Sequence, residues 1–103
     1  MSVQKSDAFI TDVEGQYEWY AVKANLDIAE RYLRAIEATC RLLNQYPMIG
    51  PPAGFTHQRL ITWRFIVVFR PFNKHVIFYE MTNDDVVSRR AMHGHRNFPK
   101  NLI

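Results

Sequence analysis

The feature that most constrains the fold is a helical pattern that ends at Pro47. Apolar side chains recur every three or four positions over about four turns, and charged side chains occupy the opposite side. On that polar side, Glu30 and Arg34 form an i,i+4 pair in the favourable order. Asn25 suits the N-cap, and Pro47 ends the helix because the residue before a proline avoids the helical region. The apolar stripe consists of Ala29, Tyr32, Leu33, Ile36, Cys40 and Leu43.

A weaker helical pattern precedes this one. Ser6 suits an N-cap, Asp7 favours the first turn, and residues 2–5 have the composition of a short edge strand. Gly15 lies inside this helix and should cost about 1 kcal/mol relative to alanine. Because only a short link separates the two helices, we expect them to form a hairpin. The apolar residues of the first helix are Phe9, Val13, Tyr17, Tyr20 and Ala21.

The second half of the chain has the period of β-strands. One segment, LITWRFIVVFR at residues 60–70, is apolar on both faces, which predicts a central strand. Two alternating segments follow, HVIFYEM at 75–81 and VVSRRAMH at 86–93, each preceded by a polar turn. The order β-α-α-β-β-β predicts an α+β fold, with the helical hairpin packed on one face of a small antiparallel sheet. The length predicts a single domain over residues 1–103.

Several classes of protein do not fit the composition. The longest apolar run, residues 65–69, is far too short to span a bilayer, and the N-terminus has no apolar segment of a signal peptide. Cys40 is the one cysteine, so no internal disulfide can form, which favours a reducing, cytoplasmic setting. Its place on the apolar stripe predicts a small core residue rather than a nucleophile.

Charge divides unevenly between the two halves of the chain. Residues 1–50 carry five Lys/Arg and seven Asp/Glu, a net −2, whereas residues 51–103 carry eight and three, a net +5. A basic C-terminal half favours an acidic partner, either nucleic acid or an acidic protein segment. A solvated basic surface has the same composition and stays the plain alternative.

The segment RAMHGHRNFP, residues 90–99, concentrates the polar chemistry of this half. Its two histidines, His93 and His95, suggest a metal site, an acid–base site or an anion-binding end of the sheet. A metal site would need further ligands, and nothing in the sequence brings His57 and His75 to the same place. The sequence therefore predicts no metal and no cofactor.

An ordered set of segments along the chain resembles a known family. The set comprises AERYLRAIEATCRLLNQYPMIG, LITWRFIVVFRPF, HVIFYE and RRAMHGHRNFPKNL. It is similar to the RelE/ParE superfamily of toxins from bacterial type II toxin–antitoxin modules, also called plasmid stabilisation proteins. The closing HG-x-R resembles the ParE-like branch. That branch usually has an aspartate after this arginine, where the present chain has Asn97.

The resemblance implies two alternative activities. ParE-like toxins bind and poison DNA gyrase, whereas RelE-like toxins are endoribonucleases that cleave messenger RNA on the ribosome. RelE-like enzymes typically use Lys and Arg on the sheet with a Tyr near the C-terminus, and here no Tyr follows Tyr79. The resemblance therefore favours gyrase as the target and leaves nucleic acid as a partner only for the nuclease. A protein-binding module without toxicity is the third alternative.

Each activity has its own candidate residues. For a nuclease, the resemblance implies a strand Glu with a His as acid and base, and arginines that bind the phosphate. A structural alternative for Arg64 and Arg70 is pairing with acidic residues on the helices. The nuclease candidates are Glu80, Arg90, His93, His95 and Arg96. The target-binding candidates are Arg64, Arg89, Arg90, His93 and Arg96.

The resemblance also implies a partner protein. Family toxins are neutralised by an antitoxin, here a ParD-like protein, whose C-terminal segment folds across helix and sheet. Such docking needs exposed apolar side chains on the toxin. Ile10, Trp19 and Ile28 lie off the core stripes and are the antitoxin-binding candidates. Scattered surface apolar residues are common in soluble proteins and provide the alternative explanation.

Overall fold

The structure is a computed structural model that describes residues 3–94. Two consecutive helices follow a short first strand, and the remaining strands come in the second half of the chain. This arrangement confirms the predicted α+β class and the order β-α-α-β-β-β. The elements are β1 (Val3–Lys5), α1 (Asp7–Lys23), α2 (Leu26–Gln45), β2 (Arg64–Val67), β3 (His75–Thr82) and β4 (Asp85–His93).

The strands form one sheet with the order β1-β4-β3-β2. Strands β2, β3 and β4 are antiparallel neighbours, whereas β1 runs parallel to β4. The sheet is therefore mixed rather than wholly antiparallel. A parallel pair requires a long connection, and here both helices and two strands separate β1 from β4 in the chain.

The expectation that β2 lies at the centre of the sheet is wrong. β2 (Arg64–Val67) is an edge strand. On its outer side, in the described part of the chain, Arg64 forms an isolated β-bridge with Pro52. The segment is apolar on both faces because the helices cover one face and the loop between α2 and β2 covers the other. Val67 and Phe69, at its far end, are 42% and 43% exposed.

Local signals for the two helices are confirmed. The Ser6 hydroxyl accepts a hydrogen bond from the Phe9 amide at 3.1 Å, and the Asn25 side chain accepts one from the Ile28 amide at 2.9 Å. Helix α2 ends at Gln45, just before Pro47. Its predicted stripe faces the sheet, whereas α1 fully buries only Phe9.

Two apolar clusters cover the two faces of the sheet. The main core lies between the helices and the sheet, and a smaller cluster lies under the loop that precedes β2. Strand β3 alternates between them, as its period predicts. Buried residues of the main core include Phe9, Tyr32, Ile36, Leu43, Ile77, Tyr79 and Val86. The smaller cluster consists of Leu60, Trp63, Val76 and Phe78.

We expect Ile36→Ala to lower the free energy of unfolding by about 2–5 kcal/mol. Ile36 is 3% exposed in the main core, so the substitution removes buried methylene groups and leaves a cavity. Urea unfolding midpoints of the wild type and the variant measure the difference. A change of less than about 0.5 kcal/mol, as at a surface position, would contradict the placement of Ile36 in the core.

Candidate functional site

The edge of β4 is completed by side chains of α1 and of its N-cap residue, Ser6. Strand β1 pairs with β4 only at Val86–Ser88. Beyond it, the Ser6 hydroxyl donates to the Arg89 carbonyl at 2.8 Å, and the Gln16 amide donates to the Ala91 carbonyl at 2.8 Å. The Ala91 amide donates to the Asp12 carboxylate at 3.0 Å. Polar side chains thus replace a neighbouring strand and fix the position of the basic end of β4.

Arg90 is anchored to the same helix. Its Nε donates to Asp12 Oδ2 at 2.7 Å, and a terminal guanidinium nitrogen donates to Asp12 Oδ1 at 3.0 Å. The two side chains are only 22% and 15% exposed. The hydrogen bond to Asp12 raises the pKa of Arg90 above its ordinary value. Arg90 therefore holds α1 against the sheet with a bidentate, charge-assisted contact.

Arg89 turns to a different carboxylate because β4 contains a bulge. Phe78 pairs with Arg90 and Tyr79 pairs with Ser88, so Arg89 is the extra residue. Its Nε donates to Glu80 Oε1 at 2.8 Å. The bulge also breaks the predicted alternation of β4, so that Ser88 and Ala91 are both buried.

The residues suggested for acid–base catalysis are not brought together. Glu80 faces the side of the sheet away from the helices, where it binds Arg89 and accepts a hydrogen bond from Thr62 at 2.7 Å. His93 lies opposite His75 at the other end of β3, five positions from Glu80. At the rise of a β-strand, this separation is about 17 Å. The structure therefore does not bring Glu80 and His93 together. His95 and Arg96 lie outside the described residues.

Arg64 binds the backbone of the loop that leaves α2, not an acidic residue of the helices. Its Nε donates to the Gly50 carbonyl at 2.7 Å. The Tyr79 hydroxyl accepts from the Gly50 amide and donates to the Pro47 carbonyl, both at 2.9 Å. These residues come from three of the segments that carried the family resemblance. Their contacts give that pattern a structural role.

A small cleft lies between α1 and the open end of the β3–β4 hairpin, where β3 begins and β4 ends. It has a volume of about 110 Å³ and contains two imidazoles whose ring centres are 4.7 Å apart, those of His75 and His93. His75 is 2% exposed, and its Nε2 shares a 2.8 Å hydrogen bond with the Tyr20 hydroxyl. Burial, and then the neighbouring His93, lower the pKa of His75 to about 4. Gln16 and Trp19 complete the lining.

Sequence reasoning missed this pairing of histidines. The signal was present in the hairpin itself, because the register of β3 and β4 places His75 directly opposite His93.

His57 is exposed on the loop between α2 and β2. Among residues 3–94, no three or more His, Cys, Asp or Glu side chains are grouped so that they could hold a metal ion. Cys40 is buried in the main core, as predicted.

The antitoxin-binding candidates do not form one surface. Ile10 and Trp19 are 41% and 58% exposed, but nine positions apart on α1 they point to opposite sides of the helix. Ile10 lines a groove of about 200 Å³ with Leu33 of α2 and Lys5 of β1. Trp19 lines the histidine cleft. Ile28 is partly buried against the main core, so its exposure was overestimated.

No helix in the described part of the chain is long and apolar enough to cross a membrane. Within residues 3–94, three of the target-binding candidates, Arg64, Arg89 and Arg90, bind groups of the protein itself. His93 is exposed at the end of the hairpin.

Comparison with known proteins agrees with this fold. The sequence model of one protein family, the ParE toxin of type II toxin–antitoxin system, parDE, matches residues 3–98. A solved structure of the chromosomal ParDE toxin–antitoxin system from P. aeruginosa has a similar fold, with a TM-score of 0.78 at 15% identity, covering 92% of this chain and 97% of that chain. No match is found among curated protein sequences. The family match covers nearly the whole chain, and the chain therefore belongs to the ParE toxin family of type II toxin–antitoxin systems.

Proposed function

We propose that this ParE-family toxin inhibits bacterial growth by binding and poisoning DNA gyrase, and that a cognate ParD-like antitoxin neutralises it. Membership of the ParE toxin family supports the role of toxin and implies an antitoxin as partner. The proposal places the protein in the cytoplasm, where gyrase acts on DNA. The observation that favours gyrase over messenger RNA is the separation of Glu80 from His93, which leaves the described residues without the suggested acid–base pair.

The surface that we assign to the target is the open end of the β3–β4 hairpin, opposite its turn. His93 is exposed there, and the Gly94 amide donates to the Lys74 carbonyl at 3.0 Å, which places the exposed Lys74 beside it. Nearby on β4, Arg90 is anchored to α1 through Asp12. The Lys74 ammonium group would recognise an acidic patch on the target by charge, so salt should weaken the complex.

Purified toxin tested against gyrase and against translating ribosomes in parallel distinguishes the two activities. We expect inhibition of DNA supercoiling, weakened by raised salt and by Lys74→Ala, with messenger RNA left intact. Arg31→Ala is the matched control, because Arg31 is an exposed cation on α2, paired with Asp27. Messenger RNA cut on ribosomes, with supercoiling unchanged, would support the endoribonuclease instead. Inactivity in both assays, from folded protein, would support the non-toxic binding module.

For the antitoxin, we expect Trp19→Ala to weaken binding by about 1 kcal/mol or more. Trp19 is a large apolar side chain, 58% exposed, and interface aromatics of this kind often dominate affinity. Titration calorimetry with the ParD-like antitoxin measures the change. Ile61→Ala is the control, because Ile61 is 60% exposed on the loop before β2. An affinity equal to that of the wild type would remove Trp19 from the interface.

A further inference from the structure

The outer edge of β2 is covered where the strand begins and open where it ends. At its beginning, the Phe65 amide donates to the Pro51 carbonyl at 3.1 Å, and Pro52 forms a β-bridge with Arg64. Within the described residues, no such pairing continues along the outer edge to Val67. The last part of β2 therefore presents a sheet edge that no neighbouring backbone covers.

The register of β2 and β3 shows which main-chain groups face this open edge. In an antiparallel pair, consecutive residues direct their main-chain groups alternately toward the neighbouring strand and away from it. The Val68 amide donates to the His75 carbonyl at 3.0 Å, so Val68 faces β3. Val67, which lies opposite Val76, therefore directs its amide and carbonyl outward. Unpaired groups of this kind are a template for pairing with an extended segment of another chain.

The charge around the open edge selects among extended segments. Arg70 and Lys74 are both exposed in the connection between β2 and β3. Residues 60–79 contain no aspartate or glutamate that could neutralise them. Val67 and Phe69 add exposed apolar side chains at the same place. The edge therefore suits an extended segment that carries both apolar and acidic side chains.

The open edge is continuous with the surface assigned to the target. Val68 binds β3 at His75, and His75 lies directly opposite His93, so the three strands end together at the open end of the hairpin. The Val67 side chain lies on the same face as Val76, which belongs to the smaller cluster away from the helices. The antitoxin candidate Trp19 lies on α1, so the open edge and that candidate belong to different surfaces.

We propose that an extended, acidic segment of DNA gyrase pairs with the open edge of β2 as an added β-strand. This inference rests on the gyrase target proposed above and specifies how the target is bound. Main-chain hydrogen bonds to Val67 set the direction of the segment, while its carboxylates bind Arg70 and Lys74. A second copy of the toxin is a poorer partner, because antiparallel pairing centred on Val67 would place Arg64 opposite Arg70 of the other copy.

Binding of purified gyrase holoenzyme to the full toxin tests the proposal. Val67→Pro removes the outward amide but no hydrogen bond of the sheet, a change that an edge strand tolerates. We expect it to weaken gyrase binding about tenfold or more, because a carbonyl of the added strand loses its donor and meets the proline ring. Arg70→Glu leaves the backbone unchanged and should weaken binding by a similar factor. Arg31→Glu makes the same change of charge on α2 and should leave binding unchanged.

Hydrogen exchange of the main chain provides a second measurement. In the free toxin, the Val67 amide should exchange faster than the Val68 amide, which is bonded to His75. Gyrase should slow the exchange at Val67. Circular dichroism confirms that each variant is folded.

The alternatives give different results. Gyrase binding that is undiminished in folded Val67→Pro and Arg70→Glu would overturn the inference and leave gyrase as the target, whereas a wild type that does not bind gyrase would overturn the proposed function too. Weaker antitoxin binding by Val67→Pro, with gyrase binding unchanged, would assign the edge to the antitoxin. Slow exchange at Val67 in concentrated toxin alone would assign it to a second copy. Either result would overturn the inference.

Discussion

Gly50→Ala is expected to lower the free energy of unfolding by about 3 kcal/mol or more. A Cβ at this position would lie 2.1 Å from the Phe65 carbonyl oxygen and 2.8 Å from the Tyr79 hydroxyl. Neither atom can move away easily, because one is backbone and the other is held by the Pro47 carbonyl. The loop must shift, which breaks its contacts to Arg64 and Tyr79. Urea unfolding midpoints measure the loss.

Gly15→Ala is the matched control. Gly15 lies within α1, and a Cβ added there would meet nothing within 4 Å. Alanine favours the helix by about 1 kcal/mol over glycine, so this variant should be more stable than the wild type. The same substitution is thus expected to have opposite signs at the two glycines. A Gly50→Ala protein as stable as the wild type would show that the loop after α2 is not closely packed against β2 and β3.

Asp12→Ala is expected to have the second large effect, about 3 kcal/mol. The substitution leaves the largely buried Arg90 without its bidentate carboxylate and the Ala91 amide without its acceptor. Because these contacts hold α1 against the edge of β4, the basic end of the hairpin should loosen as well. Thermal unfolding and hydrogen exchange of the Ala91 amide measure the two consequences.

Asp27→Ala provides the comparison for Asp12→Ala. Asp27 pairs with Arg31 at 3.1 Å on α2, but the two side chains are 64% and 59% exposed. Solvent screens this pair, so its loss should cost less than about 0.5 kcal/mol. Equal effects of the two aspartates would contradict the anchoring role of Asp12. Arg90→Ala would remove the same contact as Asp12→Ala. A loss of toxicity in that variant would therefore include the effect of a loosened fold.

The helices were predictable because their signals are local. The cap residues Ser6 and Asn25 lie within three positions of the amides they bind, and the stripe of α2 follows from its period. The position of β2 was mistaken because an edge strand covered by a loop has the same apolar pattern as a central strand. Nothing in the pattern of residues 60–70 identifies what covers each face.

The candidate site was harder to predict because its contacts connect distant parts of the chain. Arg90 binds Asp12, 78 positions away, and Arg64 binds a backbone carbonyl, for which no acidic residue signals the contact. The bulge at Arg89 shifts the register of β4 by one residue, and strict alternation cannot reveal it. The net positive charge of residues 51–103 can be read from the sequence, but the groups that the described arginines bind cannot.

The most direct test of the proposed toxicity is the damage that follows induction of the toxin in growing bacteria. Gyrase poisoning predicts DNA-damage signalling and double-strand breaks with gyrase attached to their ends, while messenger RNA persists. Co-expression of the ParD-like antitoxin should suppress both effects. The account is contradicted if induction causes rapid loss of messenger RNA while the DNA remains intact and free of gyrase-linked breaks.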